Sequence, residues 1–250
     1  MAISCKKEKL RDGRPCIPEL QLITSAQRYY HDGTYYTEQY EYDYNLKLKK
    51  IENRTQAGAL MSFLEYHYVN RKLTGATLNS ATKKAAEYKY YYAGTNHPAK
   101  YEYLEYGTDN ALKLVMEQLY EYNNGGQVIK TTVNYFINNP SYYIVTTYGN
   151  GNIIGQKYYD LTTGAPGANF TYEYDNKINP YQRQINAPLD NPRYYSKNNV
   201  TKITNNPGTG TGPVVDLVND YEYRTDGRPA KVYNKYNGGH RTLGMVYSYQ

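Results

Sequence analysis

The chain has 250 residues, a net charge of +6 and 35 tyrosines. Leu, Ile, Val and Phe together supply only 43 residues, 17% of the chain and below the roughly 20% usual in a globular domain. Low net charge and abundant tyrosine nevertheless exclude a disordered chain, and the lack of any long apolar run excludes a transmembrane helix.

Half of the net charge sits in the first sixteen residues, where Lys6, Lys7, Lys9, Arg11 and Arg14 face only Glu8 and Asp12. The remaining body is near neutral, which argues against a basic face for nucleic acid. The opening Met1-Ala2-Ile3-Ser4-Cys5-Lys6-Lys7 resembles the end of a bacterial lipoprotein signal, although no apolar stretch of about 7–15 residues precedes it. The resemblance implies a lipid on Cys5, a membrane partner reached through that anchor, and residues 1–28 as leader and tether. The alternative is a free thiol, or a small Cys5–Cys16 disulfide loop in a periplasmic or secreted protein.

From Tyr29 onward a unit of about 26 residues recurs, made of Tyr-x-Tyr, turn residues and a short apolar-basic stretch. Its copies start at Tyr40, Tyr66, Tyr88, Tyr120, Tyr172, Tyr221 and Tyr247, with an extra one at Tyr101. Degenerate copies stand at Thr146-Thr147-Tyr148-Gly149-Asn150-Gly151 and at Tyr194-Tyr195-Ser196-Lys197-Asn198-Asn199. In Tyr120-Glu121-Tyr122-Asn123-Asn124-Gly125-Gly126-Gln127-Val128, the two tyrosines share one strand face, and Asn and Gly supply a tight turn. About nine such hairpins predict an all-β antiparallel meander over residues 29–250, one domain curled into a barrel-like or open-roll sheet. The segment from Leu112 to Leu119 fits either period, and its neighbours assign it to a strand. The stretch from Asn205 to Pro213 reads as a loop.

Around Tyr172-Glu173-Tyr174-Asp175-Asn176-Lys177 and Tyr221-Glu222-Tyr223 with Asp226-Gly227, the chain resembles YD (Rhs-like) repeats. More closely, it resembles a Bacteroidetes surface-lipoprotein domain family of unassigned function with a porin-like β-fold. The copies at Tyr66 and Tyr88 depart from that pattern, lacking Asp after the second Tyr. The resemblance implies a large curled sheet carried on a lipid anchor at the outer membrane or cell surface, and it supplies no catalytic residues.

Little chemistry stands out. His31, His67, His97 and His240 fall in separate units without ligand spacing, so neither a metal nor another cofactor is expected. Gly208-x-Gly210-x-Gly212 lacks the strand and helix that a phosphate loop needs. Glu41, Glu102, Glu121, Glu173 and Glu222 each lie between two tyrosines, opposite their rings. There they are expected to pair across strands with lysines such as Lys49, Lys130, Lys202 and Lys231. The doublets put Tyr35, Tyr36, Tyr91, Tyr142, Tyr143, Tyr158 and Tyr159 forward as a ligand surface. The expected function is a non-enzymatic surface lipoprotein binding a glycan, peptide or partner protein. A structural Rhs-like shell is the alternative, and a hydrolase with dispersed carboxylates ranks third.

Overall fold

A computed structural model describes residues 22–137, 140–181, 191–207 and 212–250. Its strands are β1 (Ile23–Tyr29), β2 (Tyr35–Tyr42), β3 (Leu48–Thr55), β4 (Leu60–Val69), β5 (Lys72–Ser80), β6 (Lys84–Tyr91), β7 (Lys100–Tyr106) and β8 (Leu112–Tyr122). They continue with β9 (Val128–Tyr135), β10 (Tyr142–Gly149), β11 (Asn152–Asp160), β12 (Pro166–Ile178), β13 (Asn198–Asn206), β14 (Val214–Tyr223), β15 (Pro229–Tyr236) and β16 (Thr242–Tyr249). One short helix, α1 (Pro192–Tyr195), precedes β13. Each strand pairs antiparallel with its neighbours in sequence, and β1 pairs with β16 to close the barrel. The meander is therefore closed rather than an open roll. Among the described residues it has sixteen strands, eight hairpin units instead of nine. Its first strand begins at Ile23, inside the stretch read as tether.

The 26-residue unit is one hairpin, and its regularity comes from a bulge. The ladder slips between the middle residue and the second tyrosine at Glu41/Tyr42, His67/Tyr68, Glu121/Tyr122, Thr147/Tyr148, Glu173/Tyr174 and Glu222/Tyr223. The inserted residue bends and twists the strand, which curls the sheet toward closure. Opposite the second tyrosine stand Leu48, Leu73, Val128, Ile153, Val200 and Pro229, all buried. The degenerate copy at Thr146-Thr147-Tyr148 thus shares the bulge of the full copies. The copy at Tyr101 does not: it lies near the start of β7, its ring 5.3 Å from that of Tyr90.

Between one hairpin and the next, the ladder stops two residues short of this rim, at pairs such as Lys50↔Glu65, Gly75↔Lys89 and Lys231↔Val246. The second tyrosine spans the gap, or, in the Tyr88 copy, Tyr92 two residues beyond it. Tyr68 Oη donates to the Leu48 carbonyl at 2.9 Å, Tyr92 to Leu73 at 3.0 Å and Tyr249 to Pro229 at 2.8 Å. Tyr42 does the same to Ile23 at 3.0 Å, and Tyr174 to Ile153. The first tyrosines Tyr40, Tyr66, Tyr120 and Tyr247 are buried in the interior, which they fill in place of the scarce aliphatic residues.

The intervening carboxylates point outward. Glu41 meets Lys49 at 2.6 Å, Glu121 meets Lys130 at 2.8 Å, Glu173 meets Lys202 at 2.7 Å and Glu222 meets Lys231 at 3.4 Å. Glu102 joins the same surface, held by Lys100 at 2.7 Å. At mid-strand, Glu52 lies between Lys50 at 2.7 Å and Arg54 at 2.6 Å, and these partners hold its carboxyl below the ordinary range. Among the described residues no helix is long and apolar enough to cross a membrane.

Two expectations follow. Tyr68→Phe leaves the buried Leu48 carbonyl without its donor and should lower stability by about 1–2 kcal/mol in urea titration. Tyr44→Phe, at a ring 85% exposed, should leave the midpoint unchanged. A membrane barrel needs a continuous apolar outer band, and a Lys or Arg at its midplane costs about 2–4 kcal/mol. The full chain carrying Cys5→Ser should therefore run monodisperse without detergent in size-exclusion chromatography with light scattering.

Candidate functional site

The lumen of a sixteen-stranded barrel exceeds what wall side chains alone fill. Here the β12–β13 connection, described at 179–181 and 191–197, folds inward and occupies it. Its polar sequence accounts for the shape. Asn179 accepts from Tyr181 N at 3.0 Å and donates to the carbonyls of Arg193 at 2.7 Å and Ser196 at 2.8 Å. Asn191 caps α1 by accepting from Arg193 N at 2.9 Å, with Pro192 at the first helical position. Ser196 accepts from Ile153 N at 3.0 Å, and Lys197 N donates to the Gly151 carbonyl at 3.1 Å. The segment is thereby sewn to the β10–β11 hairpin. This corrects the reading of Tyr194-Tyr195 as a strand copy, since both lie in α1.

From α1 the side chains reach different walls. Tyr194 faces Ile51, Tyr66 and Tyr90 across a cavity of about 190 Å³, and Tyr195 faces Tyr92, Tyr122 and Tyr148 across about 240 Å³. Arg193 points toward β12–β16, into a cavity of about 360 Å³ walled by Tyr172, Asn219, Tyr221 and Tyr247. Tyr181 is 2% exposed and forms its inner corner, packed edge-on against Tyr194 at 5.4 Å and Tyr247 at 6.0 Å. Its hydroxyl meets Met245 Sδ at 3.2 Å, and burial pushes its pKa well up. Burial, the largest influence on Arg193, opposes its charge, yet its pKa lies above the already high arginine value and the guanidinium stays charged.

A second luminal guanidinium is balanced. Arg28 Nε meets Glu38 Oε1 at 2.5 Å, and Tyr40 Oη donates to Glu38 Oε2 at 2.5 Å. The cavity at Arg193 continues into a depression of about 320 Å³ through Tyr158, Tyr172, Ile203 and Leu217, which line both. That passage reaches Asp216 and Tyr236 toward the rim opposite α1's entry.

The seven tyrosines put forward from sequence do not form one surface. Tyr35, Tyr91, Tyr143 and Tyr159 face outward: Tyr143 and Tyr159 stack at 4.8 Å, Tyr35 packs on Tyr29 at 5.1 Å, and Tyr91 donates to Glu102 at 2.6 Å. Tyr36, Tyr142 and Tyr158 face inward, with Tyr142 and Tyr158 5.6 Å apart. Of the set, only Tyr158 lines the luminal cavity. Cys5, the expected lipid site, lies outside the described residues, as do residues 208–211 of the glycine-rich loop. Among the described residues no three His, Cys, Asp or Glu are placed to hold a metal. His67 instead meets Thr77 Oγ1 at 2.8 Å. Sequence reasoning passed over Arg193 and Tyr181, although Asn191-Pro192 is a helix-start signal that breaks the strand pattern.

The sequence matches no family model, and no curated protein matches it significantly. Among solved structures, a porin-like protein from Bacteroides uniformis matches at a TM-score of 0.57 and 10% identity, over 91% of this chain and 98% of that one. A porin-like protein from Bacteroides vulgatus matches at 0.55 and 10%, over 92% and 99%. At such identity the likeness speaks for the barrel fold alone, which is the fold the family resemblance implied. A chain of a TcdB2–TccC3–Cdc42 complex matches at only 0.37 and 15%, over 87% of this chain and 13% of that one, too remote to support an argument.

The two carboxylate environments predict a contrast. Glu38→Ala strands Arg28 in the lumen and should cost about 3–5 kcal/mol. Glu41→Ala, at a surface pair, should cost less than about 1 kcal/mol, both read from denaturation midpoints.

Proposed function

We propose that this chain is a non-enzymatic protein of a bacterial cell surface whose plugged barrel holds a small polar ligand, a glycan or peptide, inside its lumen. A lipid on Cys5 carries it on the outer membrane. The observation that supports the luminal reading best is the cavity of about 360 Å³ beside α1, within the roughly 300–1,000 Å³ of ligand pockets. Its lining mixes tyrosine rings with the carboxamides of Asn179, Asn191, Asn199 and Asn219 and the Arg193 guanidinium. Few polar groups converging among aromatic faces is the usual makeup of a small-molecule site. The repeat glutamates, each turned outward to a lysine, give little support to a hydrolase. A shell enclosing a cargo is disfavoured because the lumen is occupied by the chain's own segment.

Two measurements test the proposal. A panel of soluble saccharides and short peptides should contain ligands that raise the melting temperature, since a ligand at a hundred times its Kd adds about 2.7 kcal/mol. Ile203→Trp, which narrows the passage shared by the cavity and its outer depression, should abolish that rise. No rise with any member of the panel would overturn the luminal reading. In cells making the full-length gene product, the protein should fractionate with membranes, and Cys5→Ser should release it. An unmodified Cys5 in mass spectrometry of the mature amino terminus would remove the anchor and leave a secreted or periplasmic barrel.

A further inference from the structure

The luminal cavity holds a charge that the described part of the barrel does not balance. Arg28 has Glu38 at 2.5 Å, whereas Arg193 has no carboxylate within salt-bridge distance among the described residues. Its hydrogen bonds there come from the backbone, N to Asn191 and O from Asn179. The groups that act on its guanidinium are the tyrosines Tyr181, Tyr247 and Tyr194 and the like charge of Arg28. A charge withdrawn from bulk water without a partner costs several kcal/mol, and it is tolerable where a cavity admits solvent or a counter-anion. The space beside Arg193 is such a cavity.

In the same lining, Asn219 is 7% exposed and spends its amide N–H on the Val200 carbonyl at 2.8 Å. The cavity therefore holds a cation with no carboxylate beside it among the described residues, and Tyr172, Tyr221 and Tyr247 present ring surfaces around it.

We propose that this site binds a carboxylated sugar, its carboxylate on Arg193 and its ring faces on the surrounding tyrosines, an inference that rests on the luminal reading above. The guanidinium fork matches a carboxylate in two parallel hydrogen bonds. The pyranose C–H faces meet tyrosine rings, which present apolar surface beside polar tips. A neutral sugar leaves Arg193 without an anion, and sulfate brings no apolar face for the rings of Tyr172, Tyr221 and Tyr247; a sugar acid supplies both. The passage toward Asp216 and Tyr236 supplies the route of entry, either for a free sugar acid or for the end residue of an acidic glycan.

Isothermal titration of the full chain with D-galacturonate, trigalacturonate, D-galactose and sodium sulfate tests this. Galacturonate should bind at least about tenfold more tightly than galactose, as expected for hydrogen bonds to a charged group. Sulfate should displace it. Arg193→Gln should weaken galacturonate at least about tenfold while leaving galactose unchanged, and Arg193→Lys should restore part of the loss. If Arg193→Gln does not fold, displacement by sulfate from the unaltered protein decides. A trimer that binds as well as the monomer assigns the site to a glycan end, and a trimer that is excluded assigns it to free sugar acids; either upholds the proposal. Equal binding of galacturonate and galactose, or galacturonate binding indifferent to both Arg193→Gln and sulfate, overturns it and leaves the luminal site standing. Failure of any sugar to bind overturns it outright, and the peptide members of the melting panel then decide the luminal reading.

Discussion

The hydrogen bond from a tyrosine hydroxyl to a carbonyl of the preceding hairpin is the constraint on which the barrel depends. Each bulge turns its strand away from the flat sheet, and this curvature lets the meander close. The same curvature opens the ladder at the rim, leaving carbonyls such as those of Leu48 and Leu73 beyond the last backbone pair. A buried carbonyl without a donor costs about 1–3 kcal/mol, so curvature without a substitute donor would be self-defeating. Tyrosine answers both demands at once. Its ring fills the curved interior, and its hydroxyl supplies the missing donor at 2.8–3.0 Å.

A tyrosine-filled interior has consequences of its own. Every buried ring brings a hydroxyl that needs a partner, so the lumen becomes a polar network rather than an oily core. Carboxamides and Ser196 from the inserted segment fit such a lumen, where an aliphatic segment would strand tyrosine hydroxyls. Glu38 serves the same accounting, accepting from Tyr40 while balancing Arg28. Arg193 differs from Arg28 in having no carboxylate beside it among the described residues, and it lines a cavity.

How much of this was legible depended on range. The 26-residue period, the outward glutamates and the lysines beside them are set within one hairpin, and the sequence carries them in Tyr40-Glu41-Tyr42 and Lys49-Lys50 as plainly as the structure does. Closure is set by β1 against β16, two strands more than two hundred residues apart. Ile23–Tyr29 has no Tyr-x-Tyr pair, so nothing local distinguished it from a tether. The tyrosine doublets divide between two faces, as neighbouring residues of a strand must. Tyr142 and Tyr143 accordingly part company, one into the lumen and one onto Tyr159. Arg193 became visible only when a connection between strands folded back through the barrel.

A porin-like barrel invites the picture of an open pore, and this one is filled by rings and its own inserted segment. In a membrane barrel the outer band is apolar and the interior wet. Here the outer face carries Lys50-Glu52-Arg54 and Lys100-Glu102-Glu117 clusters at mid-strand, while rings and an inserted segment crowd the inside. Solvated ion pairs of this kind add little stability, so their regular recurrence answers to contact with water more than to folding. A closed sheet also leaves no free edge for another chain to extend. The fold thus shields its backbone on every side, and the cavity beside Arg193 shares part of its wall with a depression toward the rim opposite α1.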